Sequence, residues 1–199
     1  MKFIYKIKQM FLTIFGDIQY SKFPMFFYYK PCGYKIKGYD TRKVIEVIKP
    51  GDIVLRKYNN YIDGKFIPGD YSHSGIYVGN NQVIHMLAEG CVCEDIIDFL
   101  RTDKICILRS KGSTKRAVQR AWKAFRNNIQ YDFSFEDHGI DANLRYYCHE
   151  FTASCYKEFN IPKVSGKIFY CIKTPKKILA ASFLEHPRFK KVIELPEEI

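Results

Sequence analysis

No stretch of this chain approaches the roughly 20 consecutive apolar residues that a bilayer-spanning helix requires. The apolar run from Met10 to Phe15, in MKFIYKIKQMFLTIFGDIQY, is short, and no small-residue cleavage site follows it. A secretory leader is therefore not expected. Repeats, low-complexity tracts and Gly/Ser linkers are missing too, which favours one packed domain in 199 residues. There is no zinc-finger spacing, RNP word or basic repeat, so a nucleic-acid role rests on charge alone and no specific nucleic-acid partner is expected. The cysteines, Cys32, Cys91, Cys93, Cys106, Cys148, Cys155 and Cys171, are odd in number and follow no regular framework. Free thiols in a reducing compartment, the cytoplasm, fit that pattern better than secretion.

What is present points to a globular core, with 47% hydrophobic and 16% aromatic residues. Thirty-two Lys and Arg residues against 21 Asp and Glu give a net charge of +11. An anionic partner (membrane surface, polyanionic envelope or nucleic acid) and plain solubility both account for that excess. Residues 1–38, rich in Tyr, Phe and Lys, are expected to form an ancillary segment packed on a domain spanning 39–199. The sharper alternative for this segment is a basic, aromatic contact with a membrane surface.

Local signals order the rest of the chain. Asp40 is placed to cap a helix over TRKVIEVI, stopped by Lys49-Pro50-Gly51. GDIVLRKY reads as a strand, residues 59–71 as a loop, and SGIYVG and QVIHML as a hairpin around Gly79-Asn80-Asn81. Register decides whether His73 and His85 share a face: an odd-length loop 79–81, or an equivalent bulge, makes them diagonal neighbours, and that is the expectation. IIDFL suggests a helical turn and KICILRS a strand. A helix capped by Ser113 or Thr114 is predicted to run to about Arg126, with Val118, Ala121, Trp122 and Phe125 inward and Arg116, Arg120 and Lys123 outward. A helix begins around Tyr147, burying Cys148, Phe151, Cys155 and Phe159. KIFYCIK reads as a strand, and Thr174-Pro175 as the opening of a last helix, KKILAASFL. The class is α+β, with a mostly antiparallel sheet or half-barrel packed against helices.

Cys148, His73 and His85 carry the chemistry. A thiol at the first turn of a helix feels the positive end of the helix dipole, which lowers its pKa, and a neighbouring imidazole is suited to act as base and then acid. His85 could orient the His73 ring, and the Cys148 N–H is the first oxyanion donor. Each residue alone is weak evidence, since lone cysteines and histidines in apolar elements are usually core. Cys91 and Cys93 near His85 make a poor zinc signature without a second pair, so neither a metal nor a cofactor is expected. His138 and His186, without companions, are expected at the surface, though His138 is also placed to line the cleft rim.

The words around these residues form a set: Gly51-Asp52-Ile53, His73 leading SGIYVG, Tyr131-Asp132, YYCHEF and Thr174-Pro175. Over roughly residues 45–190 the succession resembles the circularly permuted papain-like hydrolases of the YiiX/YaeF type, within the broad NlpC-like and LRAT-like superfamily. That resemblance implies a thiol hydrolase with Cys148 as nucleophile and His73 as base. The third position departs from the YiiX pattern, where Glu is usual; His85 matches the LRAT-like arrangement, with Glu89 in reserve. Glu150 matches the family's Cys-x-Glu and is expected, with Tyr147, to support the helix start. His149 replaces a common Ser and is expected to face away. The implied activity is cleavage of an amide, ester or thioester in a peptide-like or lipid-like substrate. The competing reading is a non-catalytic peptide- or lipid-binding module on the same fold.

Overall fold

The computed structural model describes residues 2–16, 18–20, 27–29, 34–59, 61–134, 145–168 and 172–197. The expectations for His138, Cys32 and Cys171 lie outside them. The chain begins with α1 (Lys2–Gly16), an antiparallel pair β1 (Ile18–Tyr20) and β2 (Phe27–Tyr29), and α2 (Gly38–Val47). Next come β3 (Ile53–Lys57), β4 (His73–Gly79), β5 (Gln82–Leu87), β6 (Gly90–Asp95), α3 (Ile96–Phe99), β7 (Lys104–Ser110) and α4 (Lys115–Arg126). The last part holds β8 (Gln130–Tyr131), β9 (Arg145–Tyr146), α5 (Cys148–Cys155), β10 (Lys167–Ile168), β11 (Ile172–Lys173), α6 (Ala180–Leu184) and β12 (Phe189–Leu195).

The framework is a six-stranded antiparallel sheet in the order β12-β7-β3-β4-β5-β6. Strand alternation sends Ile53, Leu55, Ile76, Ile84, Met86 and Leu108 to one face, where they pack with α4, α5 and α6. Val54, Tyr77, Val83, Ile105 and Ile107 go to the other, against α2 and α3. With both faces covered, the central strands are buried almost throughout. The α+β class is as expected.

The β4–β5 register fixes the site. Asn80 and Asn81 form a two-residue turn, both at positive φ (51° and 58°), a conformation Asn tolerates well. That turn alone would put His73 and His85 on opposite faces. A bulge between Tyr77 and Gly79 inserts one residue, so Gly75 faces His85 and His73 becomes its diagonal neighbour. The bulge, rather than a three-residue loop, sets the shared face.

Several elements differ from the sequence expectation. Asp40 caps α2 from inside, three residues beyond the cap position, where its carboxylate accepts the Lys37 N–H at 3.0 Å. GCVCED is a strand, β6, paired along β5. KIFYCIK is not one strand; Lys167–Ile168 and Ile172–Lys173 pair with each other. The last helix starts only at Ala180, because Lys177 is bridged to Val164 and the Ile178 N–H donates to the Tyr147 hydroxyl, which keeps the approach extended. β12 was not anticipated: exposed lysines and a bulge between Lys191 and Ile193 interrupt its alternation, as suits an edge strand. On α4 the buried centre is Ala117 and Ala121, and Phe125 is exposed. Arg120 reaches α5 instead of facing solvent, donating to the Cys155 carbonyl and pairing with Glu158. His186 is buried, with Nε2 3.0 Å from the Phe159 carbonyl oxygen.

The words of the Gly-Asp-Ile motif also find their cause. Gly51 sits at φ +90°, and a Cβ there would fall 2.1 Å from Thr114 Cβ. Buried Asp52 accepts the Lys49 N–H and a two-pronged contact from Arg109, tying the loop before β3 to β7.

Candidate active site

Cys148 is the first residue of α5, and Tyr147 occupies the cap position before it. Glu150, at the third position, reaches back toward the Tyr147 N–H, as acidic residues do at helix starts. The Tyr147 side chain is buried against α6's approach, its hydroxyl accepting from Ile178. Both residues therefore shape the helix entrance. Burial, and then Asp132, push the Glu150 carboxyl up to about 7.

Ser74 stitches this helix to the histidine strand. Its hydroxyl lies 3.1 Å from the Cys148 carbonyl, 2.8 Å from Thr152 Oγ1 and 2.9 Å from His149 Nδ1. His149 is therefore turned inward and buried, contrary to the expectation that it faces away; its ring packs near Phe183. Burial lowers its pKa to about 4, so it is neutral at physiological pH.

On the opposite face of the sheet runs a chain of polar groups. His73 Nε2 lies 2.9 Å from His85 Nδ1, and His85 Nε2 lies 3.0 Å from Glu94 Oε2. The second contact is close but poorly aligned for a hydrogen bond. Glu94 in turn meets Arg56 Nη1 at 3.5 Å, and Arg56 donates to the Phe99 carbonyl while its guanidinium lies over the Phe99 ring. Burial works against the Glu94 charge, but His85 and Arg56 outweigh it and hold the carboxyl below its ordinary value.

This chain of contacts orients the tautomers. The carboxylate keeps the proton of His85 on Nε2, so Nδ1 accepts from His73 Nε2–H, and the basic nitrogen of His73 is Nδ1. Burial, joined by the Arg56 charge, lowers the pKa of His73 well below its ordinary value. Burial also takes His85 to about 4, with Glu94 opposing. Both rings are neutral near pH 7.

Gly75 makes room for this pair. It stands opposite His85, and a Cβ there would meet Val83 Cγ1 at 2.7 Å and His85 Cβ at 3.0 Å. That explains physically why glycine follows the histidine by two.

The sulfur does not hydrogen-bond to the His73 ring. Its contact is with the carbonyl oxygen of Ser72, at 3.8 Å, because α5 packs on one face of β4 while the His73 ring lies on the other. Both groups nevertheless line one cavity of about 850 Å³. The expected low thiol pKa is also absent. Burial pushes it up to about 11, although the N–H groups of Ser74, His149 and Cys148 and the charge of Arg56 pull the other way. At 3% exposure the desolvation of a thiolate outweighs one helix terminus.

Of the other named residues, Glu89 is exposed on the turn after β5 and lines the cavity without contacting His85. The carboxylate that does the reaching is Glu94, which sequence reasoning missed together with Arg56. The signal was available: a two-residue turn at Ala88-Glu89 pairs Leu87 with Gly90 and sets Glu94 opposite Val83, diagonal to His85. Cys91 and Cys93 lie on the α5 face of β6 and His85 on the other, so the sheet separates them. Among the described residues no group of three or more His, Cys, Asp or Glu side chains is arranged to hold a metal ion. Cys91, Cys93, Cys106, Cys148 and Cys155 are free thiols.

A family model described as "permuted papain-like amidase enzyme, YaeF/YiiX, C92 family" matches residues 47–193. Among solved structures, the chain resembles one titled "Crystal structure of metalloprotein yiiX from Escherichia coli O157:H7, DUF1105", with a TM-score of 0.53 and 18% sequence identity. The likeness covers 73% of this chain and 96% of that one. No curated protein matches.

Proposed function

Because this chain belongs to the permuted papain-like amidase family, we propose that it is a cysteine hydrolase that forms an acyl-enzyme on Cys148, with His73 as the general base. One observation carries this assignment: the start of α5 and the head of the His73–His85–Glu94 chain open onto the same cavity. The thiol rests protonated. In the reaction the Sγ–H proton passes to His73 Nδ1 as sulfur adds to the acyl carbonyl, and His73 returns it to the leaving group. His85 accepts from the Nε2–H throughout and holds the ring, while Glu94 steadies the positive charge that develops. The Cys148 N–H serves as an oxyanion donor. Water then attacks the acyl-enzyme with His73 again as base, releasing the acid and the free thiol.

The walls favour an acyl chain over a polar peptide. Phe11, Leu12, Phe15, Phe66, Met86 and Leu179 all line the cavity, and Arg56 and Lys177 bring cationic groups to its wall. A pocket of this size and lining suits an apolar group with one polar end, so the substrate is a lipid-like amide, ester or thioester. The test is turnover of p-nitrophenyl esters of increasing chain length. The expected result is kcat/KM rising with length and lost in Cys148→Ala; a rate independent of length refutes the substrate class.

The Ser72 contact of the sulfur and its raised pKa favour a second reading, a lipid-binding module in which Cys148 is inert. That reading requires binding of acyl ligands with no turnover and no difference between the wild type and Cys148→Ala.

A further inference from the structure

We infer that α1 is an interfacial helix that seats this protein on the surface of a bilayer carrying anionic headgroups. Docking is independent of the chemistry proposed for Cys148. Phe3, Ile4, Ile7, Met10, Phe11 and Ile14 are each between 46% and 75% exposed, on the one helix that ought to hide them. At 100° per residue the six fall within an arc of about 120°. Lys6 and Lys8 flank that arc on either side, and the helix contains no Asp or Glu.

The opposite side of α1 is already occupied. The Tyr5 hydroxyl donates to the Ala88 carbonyl at 3.0 Å, the Tyr5 ring meets Phe133 edge-on, and Leu12 packs on the main core. The apolar arc is thus turned outward by contacts that fix the helix, not by fraying. Cation-flanked apolar arcs of this kind lie in the headgroup region, with the apolar side chains in the acyl boundary and the lysines among anionic groups. The net charge of +11 adds a long-range attraction to such a surface.

Placement gives the arc a further consequence. Phe11 belongs both to the outward arc and to the cavity wall, and it stacks on Phe15, which in turn meets Phe66. A docked α1 therefore brings the mouth of the cavity to the lipid, with an aromatic path inward.

The experiment is flotation of the full chain with phosphatidylcholine vesicles, with and without phosphatidylglycerol, at physiological salt. The wild type is expected to float with the anionic vesicles and to be released by high salt. Ile7→Asp/Met10→Asp should lower the partition at least about tenfold, and Lys6→Glu/Lys8→Glu should remove the preference for phosphatidylglycerol, with an unchanged melting temperature in both. As a check that does not rely on losing function, Ile7→Trp keeps the arc apolar and should be quenched by brominated acyl chains. Three results overturn the inference: no flotation and no quenching, equal partition on both vesicle types, or a wild-type dimer that Ile7→Asp/Met10→Asp dissociates while vesicles are ignored. The last would make a second copy of the chain the occupant of the arc.

Discussion

The resting state of Cys148 offers a direct measurement. With the thiol pushed up to about 11, the thiolate fraction at pH 7.5 is about 3 in 10,000, against roughly one in ten for an ordinary cysteine. That is a deficit of about 300-fold. A more basic thiolate is the better nucleophile, which recovers roughly tenfold and leaves alkylation roughly 30-fold slower than for a free thiol. Iodoacetamide labelling between pH 6 and pH 10 (approximate limits), with the modified peptide mapped to Cys148, reads this directly. The rate should climb about tenfold per pH unit without levelling off. His73→Ala should leave that profile unchanged, since the ring does not touch the resting sulfur, while ester turnover falls by at least about a hundredfold. A labelling plateau with a midpoint below neutrality, abolished by His73→Ala, would reveal a preformed thiolate–imidazolium pair and refute the reasoning.

Further predictions concern the supporting groups. His85→Ala should cost about a hundredfold in kcat/KM by freeing the His73 ring, and His85→Asn, which restores an acceptor for Nε2–H, should recover most of it; equal losses would remove His85 from that role. Gly75→Ala should lower turnover through displacement of His85 with Cys148 labelling unaltered, a split that steady-state assays and mapping together reveal. Ser74→Ala should destabilise the fold by about 2–3 kcal/mol, with a melting temperature lower by roughly 5–10 °C, because it strands buried partners on α5. Burial holds His85 and His149 near 4, below the ordinary imidazole value, so the unfolded chain takes up protons first as the pH falls. Their contribution is complete above about pH 6.5 and is lost as the pH drops through 4, by up to roughly 3 kcal/mol each. Urea midpoints compared at neutral and acid pH test this, and equal values would contradict it.

What the sequence determined by itself was what local rules carry. Short apolar runs bounded by turn residues specified β3, β4, β5 and β7, and the words around Cys148, His73 and His85 pointed to a family that the matching family model then supported. The shared face of the two histidines was also foreseeable, because a period of two makes register a yes-or-no question that one extra residue settles. Tertiary structure alone decided the rest. Arg56 joins the histidines only because β3 pairs with β4 across the long 58–72 loop, and β12 and the extended approach to α6 exist because partners elsewhere hold them. The thiol's charge state depended on how deeply α5 is buried, and desolvation is a property of the surroundings rather than of the residue.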